Sequence, residues 1–253
     1  MCVTVNKLYM LPAGRCQVDH TVLDTNRAPG ELANLPIWVY LIETTDGPIL
    51  VDAGMPASCV TAPLDIFRGT EDEGFIVPKM TEEDVVTRVL VRSGYAQSDL
   101  ACVVSTHWHF DHAGGNALFP DTEIVVQRRE YDAAMTQDNY FEICKDPSLH
   151  YRFVNGDTEL APGITLLLTP GHTPGHQSVL VQTNNGGSIL LTIDAAYCRA
   201  NYEDSVPFAV RNASEAAASI RKLKEIAKSA GAKVFFGHDQ EQEKLWNTYP
   251  LYY

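Results

Sequence analysis

Short apolar runs that stop abruptly at a polar residue organise this chain. Residues 37–42 and 49–52 are strand-like and are joined across Asp46-Gly47, a pair that favours a hairpin turn. Thr81-Glu82-Glu83-Asp84 has the character of a helix start. Val85, Val86, Val89 and Leu90 then recur at helical spacing until Ser93-Gly94 closes the segment. Residues 100–105 and 123–127 are further strands, and helical material is expected over 129–144. The second half repeats this grammar. Residues 164–168 form a strand, and 178–182 and 188–193 flank the turn Asn184-Asn185-Gly186-Gly187 as a hairpin. Ser214 is expected to cap a helix whose apolar face is Ala217, Ile220, Leu223 and Ile226, and 233–237 is the last strand. Strands alternating with helices, with hairpins in both halves, predict an α/β protein: two mixed β-sheets packed face to face with helices on the outer faces. No linker-like stretch or repeat interrupts the pattern, so residues 1–253 are read as one domain.

At 253 residues and 45% hydrophobic, the chain can build a substantial core without covalent staples. No segment has the apolar length needed to cross a bilayer, and the N-terminus lacks the basic-then-apolar layout of a secretory signal. A cytoplasmic protein with no membrane partner is expected. Cys2, Cys16, Cys59, Cys102, Cys144 and Cys198 are scattered without a CxxC pair, which reads as reduced and mostly buried thiols. A net charge of −13 repels phosphate backbones and argues against a nucleic-acid partner.

The chemistry starts at His107-Trp108-His109-Phe110-Asp111-His112, where the 100–105 strand gives way to Ala113-Gly114-Gly115. Neutral imidazole nitrogens and a hard carboxylate oxygen at this density suit Zn²⁺ or a similar divalent ion. His107 and His109 project to one side of an extended chain, while Asp111 and His112 can face a second ion as the chain bends. Four more residues follow apolar strands in the same way: Asp52, His172, Asp194 and His238. Strand ends on one sheet edge converge in space, and α/β proteins place their sites there.

His107-x-His109-x-Asp111-His112, followed by His172, Asp194 and His238, resembles the signature of the metallo-β-lactamase superfamily. That resemblance implies an αββα sandwich with two metal ions at one edge. It implies that His107, His109 and His172 hold one ion, that Asp111, His112 and His238 hold the other, and that Asp194 bridges them. Asp52 matches an acidic position that supports the loop below the site without binding metal. Within the superfamily, residues 8–16, 47–52, 78–84, 169–178, 191–197 and 235–239 are similar to N-acyl-homoserine lactonases of the Bacillus type. Trp108 departs from the Leu of that pattern, and its place between two ligands turns it away from them.

What the likeness implies is a hydrolase that opens the lactone ring of N-acyl-L-homoserine lactones, a quorum-quenching activity. Two cations would bring the pKa of a bridging water from about 15.7 toward about 7, so that hydroxide attacks the ester carbonyl. Tyr197 would share in stabilising the oxyanion, and Asp111 would carry the proton to the departing ring oxygen. Zn²⁺ is the first choice of metal, with Co²⁺, Mn²⁺ or Fe²⁺ compatible with the same donors. The acyl tail would lie against Met10, Val18, Leu23 and the 56–79 stretch, Phe67 above all. His176 could orient a metal ligand, but His20, His150 and His176 are all read as structural. A homodimer is compatible with the sequence. The runner-up is a glyoxalase-II-like thioesterase or another dinuclear metal ester hydrolase, though the chain shows no basic cluster for glutathione carboxylates. A β-lactamase, an RNA-processing phosphodiesterase and a flavodiiron-type carrier fit less well, each wanting a ligand or insertion that is absent here.

Overall fold

The computed structural model describes residues 5–23, 28–70, 72–184, 187–204 and 210–253. Cys2 and the Asn185-Gly186 centre of the expected turn lie outside the described residues. In chain order the elements are β1 (Val5–Asp19), β2 (Leu32–Thr44), β3 (Gly47–Val51), β4 (Ile76–Lys79), α1 (Val86–Arg92), β5 (Cys102–Val104), α2 (Phe110–Ala113), β6 (Ile124–Gln127) and α3 (Arg128–Thr136). They continue with β7 (Tyr151–Val154), β8 (Thr158–Ala161), β9 (Ile164–Leu168), β10 (Gln177–Thr183), β11 (Gly187–Leu191), α4 (Arg199–Asp204), α5 (Ala213–Ala230) and β12 (Lys233–Phe235).

The strands form two mixed leaves. One runs β1-β2-β3-β5-β6-β7, with β4 also on β1; the other runs β9-β10-β11-β12, with β8 on β9. Among the described residues, strand pairing joins them at one position, Val5↔Thr183, where the long β1 reaches the edge of the second leaf. Period-two alternation explains the layering. Trp38, Tyr40, Ile42, Ile49, Val51, Cys102 and Val104 point inward and meet Val179, Val181, Ile189 and Leu191 between the leaves. Val39, Leu41, Leu50 and Val103, their neighbours in sequence, point outward to Val86, Val89 and Leu90 of α1. On the other side Leu190 and Leu167 face outward to Leu223 and Ala227 of α5. Each such side chain, fully buried, contributes about 1.5–3 kcal/mol. Helix, sheet, sheet, helix is the layering expected, and it follows from strands that are apolar on both faces.

Details differ from expectation. The helix anticipated from Thr81 is split: the Thr81–Asp84 capping box closes on a 3-10 turn over Glu82–Asp84, and Val85 is extended before α1 starts. Asn212, not Ser214, caps α5, its side chain accepting from the backbone N–H groups of Ser214 and Glu215 at 3.1 Å each. The buried stripe of α5 is Ala216, Ile220, Leu223 and Ala227, which leaves Ala217 and Ile226 half-buried. Helical structure after β6 ends at Thr136, and only a 3-10 turn at Glu142–Cys144 follows. Cys16, Cys59, Cys102 and Cys144 are buried and Cys198 is half-buried; burial pushes the Cys102 thiol up to about 11. No helix among the described residues is long and apolar enough to cross a membrane.

Candidate metal centre

Five strands, β3, β5, β9, β11 and β12, end at one edge, and each is followed within four residues by a candidate residue. After β5 the chain carries His107 and His109, then turns into α2, which bears Asp111 and His112. The loop after β9 brings His172, a 3-10 turn after β11 brings Asp194, and the segment after β12 brings His238. Ligand-type atoms of His107, His109, His172 and Asp194 lie within 4.8 Å of one another, as do those of Asp111, His112 and His238.

Asp194 stands between the groups. Its Oδ2 is 3.2 Å from His172 Nε2 and 3.7 Å from His107 Nε2, while its Oδ1 is 3.2 Å from His238 Nε2 and 3.3 Å from His112 Nε2. Asp111 Oδ2 is 3.6 Å from His112 Nε2 and 3.8 Å from His238 Nε2. Gly237 allows this approach, since a Cβ there would sit 2.9 Å from Asp194 Oδ1.

The rings are aimed by what their outer nitrogens touch. Asp52 Oδ2 accepts from the Thr106 hydroxyl and from His112 Nδ1, both at 2.8 Å, and Oδ1 accepts from Thr106 N at 2.8 Å. With its hydrogen committed to Asp52, the Thr106 oxygen accepts from His107 Nδ1 at 3.2 Å. His238 Nδ1 donates to the Pro36 carbonyl at 2.9 Å. These bonds fix tautomers that leave the Nε2 lone pairs of His107, His112 and His238 facing the centre. His109 instead turns Nδ1 inward, 2.9 Å from His172 Nε2. Tyr197 Oη lies 3.2 Å from His172 Nδ1.

Electrostatics sorts the two groups. Burial, reinforced by neighbouring imidazoles, holds His107 and His109 well below the usual histidine range. Burial acts the same way on His112 and His238, but the facing Asp194 carboxylate, helped by Asp111, raises both above that range. A divalent ion taking their lone pairs would displace those protons. Burial pushes the Asp52 and Glu130 carboxyls up, while their hydrogen-bond donors pull against it.

The donor set fits a pair of divalent ions. It contains only nitrogen and oxygen, and two of its atoms, His112 Nε2 and Asp194 Oδ1, are buried without a hydrogen-bond partner among the described residues. Groups so placed are costly unless something else satisfies them.

A cavity of about 370 Å³ opens beside the centre, reaching His109, Asp111, His172, Asp194, Tyr197 and His238. Its apolar walls include Val18, Ile37, Phe75 and Ile76, with Arg211 also on its surface. Val18 is where the sequence placed it, but Met10, Leu23 and Phe67 are not on the wall. Met10 is buried between the leaves, Leu23 in the outer core, and Phe67 lies edge-on beneath Phe110 and Phe141 at ring distances of 5.0 and 5.5 Å. Trp108 points away from the centre and packs against Tyr131 and Tyr151. His150 is exposed. His176 takes the place of its alternative reading, beside a ligand-type residue: its Nε2 accepts from the backbone N–H of Asp194 at 3.1 Å, and burial brings its pKa down to about 3, keeping it an acceptor. Sequence reasoning missed Glu130, a fully buried acid against both histidine loops.

Residues 32–238 match the model of the Metallo-beta-lactamase superfamily. The N-acyl homoserine lactonase AiiA of Bacillus thuringiensis subsp. kurstaki is 52% identical over 250 residues, covering 99% of this chain and 100% of the relative. A solved N-acyl homoserine lactone hydrolase with N-hexanoyl-L-homoserine at its catalytic metal centre superposes with a TM-score of 0.96 at 51% identity, over 99% of this chain and 100% of that one. A B. thuringiensis AiiA variant with N-decanoyl-L-homoserine in its active site gives the same TM-score, identity and coverage.

Proposed function

Since this chain belongs to the metallo-beta-lactamase superfamily, we propose that it is a metal-dependent hydrolase that opens the lactone ring of N-acyl homoserine lactones, as its relatives' names describe. One observation carries the reading: the two oxygens of Asp194 face separate histidine groups at the floor of an apolar-walled cavity. In this reading His107, His109 and His172 hold one divalent ion, Asp111, His112 and His238 hold a second, and Asp194 serves both. Zn²⁺ suits the donors best, and Co²⁺, Mn²⁺ and Fe²⁺ suit them as well. When bound, such a pair supplies hydroxide at neutral pH and polarises an ester carbonyl.

The chain's own groups do the rest. With His172 Nε2 committed to the centre, Nδ1 keeps its proton and donates to Tyr197 Oη, so the phenol can act as a donor toward a substrate carbonyl oxygen. Burial, with Asp194 and Asp111 nearby, holds the Tyr197 pKa well above its usual value and keeps that proton in place. Asp111, at the cavity wall, is assigned to carry a proton to the ring oxygen as the acyl bond breaks, releasing an N-acyl-homoserine. Val18, Phe75 and Ile76 give the tail an apolar wall.

The test is the hydrolysis rate of metal-loaded protein across homoserine lactones of differing tail length, beside an S-acyl glutathione thioester. Turnover of the lactones is expected; turnover of the thioester alone would replace this reading. Tyr197→Phe should lower kcat on the lactone by about tenfold, less than the about 10²–10³ lost with a lone oxyanion donor, because the ion shares that task. A larger loss in stopped assays of the variant would move Tyr197 to the principal role.

A further inference from the structure

Glu130 takes no part in the groups just described, yet its side chain is fully buried at the start of α3. Its Oε1 accepts from Trp108 N at 2.9 Å, midway between His107 and His109. Its Oε2 accepts from Thr173 Oγ1 and from Gly175 N, both at 2.8 Å, in the loop that carries His172. One carboxylate therefore fastens two loops that are distant in sequence and together present three imidazoles. The approach is tight enough to dictate glycine at 175, where a Cβ would fall 2.2 Å from Glu130 N and 2.6 Å from its Cα. Asp52 bonds His112 Nδ1 directly and reaches His107 only through Thr106. None of the hydrogen bonds described for Glu130 reaches the Asp111, His112 and His238 group.

We infer that Glu130 is a positioning residue for one half of the centre: it sets the spacing of His107, His109 and His172, while His112 and His238 are aimed by Asp52 and the Pro36 carbonyl. The inference rests on the reading of the site as a two-ion centre. It differs from a general packing role in being selective. Loosening the two loops spreads three donors that must converge on one ion, whereas the α2 and His238 positions keep their own supports. Groups that orient metal ligands typically carry about 10–100-fold in metal affinity.

The test is titration of metal-stripped Glu130→Ala, Glu130→Gln and Thr173→Val protein with Co²⁺, followed by the visible d–d bands and by competition with a chromophoric chelator. Wild type should take up two ions. In Glu130→Ala one site should weaken about 10–100-fold while the other stays within about threefold. Glu130→Gln, which can still accept from Trp108 N but offers an N–H₂ to Gly175 N, should fall between, and Thr173→Val should do less. A Glu130→Ala crystal at a Co²⁺ concentration that fills only the tighter site should show its anomalous peak at Asp111, His112 and His238. Equal weakening of both sites, no weakening, or a peak at His107 and His172 would overturn the inference. If Glu130→Ala does not fold, Glu130→Gln decides by the same criteria. Wild type that takes up no metal would instead end the metal-centre reading on which the inference stands.

Discussion

Asp194→Asn should leave the protein folded and lower kcat/KM on an N-acyl homoserine lactone by about 10³-fold or more, because in the proposed two-ion reading Asp194 serves both ions. The carboxylate presents Oδ2 to His107 and His172 and Oδ1 to His112 and His238, at 3.2–3.7 Å. An amide of the same shape offers one oxygen and one N–H₂. Whichever way it turns, one histidine group is left beside an N–H₂, which has no lone pair to offer a cation, where a carboxylate oxygen stood. The charge is lost as well, and with it the attraction that brings a divalent cation into a buried pocket. Burial alone would push the Asp194 carboxyl up, but His112 and His238 hold it well below the ordinary range, so at neutral pH the native group carries its full charge. The check is steady-state kinetics beside metal content by atomic emission, with near-UV circular dichroism as the control for folding. Activity within tenfold of wild type, with two ions retained, would contradict the bridging assignment.

Removal of metal by a chelator, followed by dialysis, should abolish lactone hydrolysis and lower the thermal midpoint, and added Zn²⁺ should restore both. Ligands that bind only the folded state stabilise it by about 2.7–4.1 kcal/mol at 100–1,000 times their dissociation constant. For a domain of this size that corresponds to a fall of about 5–15 °C in the midpoint. The structural reason is that the donors come from segments between residues 107 and 238, on loops leaving both leaves. Carboxylates and imidazoles packed together in a buried space would be stabilised by cations bound among them. Differential scanning calorimetry of stripped and reloaded samples measures this directly. A stripped sample with full activity would rule out the metal mechanism, whatever its midpoint.

How far the sequence reached depended on how local each feature is. The His107–His112 cluster and the strand ends before His172, Asp194 and His238 are legible because chemistry and strand pattern sit within a few residues of each other. The layering was legible for a similar reason: strands such as β2 are apolar on both faces, so both must be covered. The cavity wall was legible only in part: Val18 and the 56–79 stretch do reach it, but which apolar side chain of that stretch faces the cavity depends on packing across elements. Phe67 is taken up by Phe110 and Phe141, and the wall falls to Phe75 and Ile76. Glu130 was hidden in the charged run Arg128-Arg129-Glu130, which reads as a solvated helix start. One signal was there to be used. Glu130 shares a helical stripe with Ala133 and Ala134, and an acid on the apolar side of a helix is rarely idle. The cap of α5 was missed by two residues, since Asn212 and Ser214 are both good capping types and only the backbone tells them apart.

Two residues other than glycine have left-handed backbone among the described residues, Asp52 with φ 62° and Ile193 with φ 52°. For a β-branched residue this is an unfavourable conformation, of order 1–3 kcal/mol. Neither is remote from the chemistry: Asp52 steers His112 and Thr106, and Ile193 immediately precedes Asp194. The surrounding core holds Ile193 in place, with 1% of its surface exposed. Both carboxylates are thus pointed by backbone that the packed leaves keep under tension. Such a centre is preorganised: its ordering is completed as the polypeptide folds, so arrival of a cation should demand little rearrangement and meet little delay.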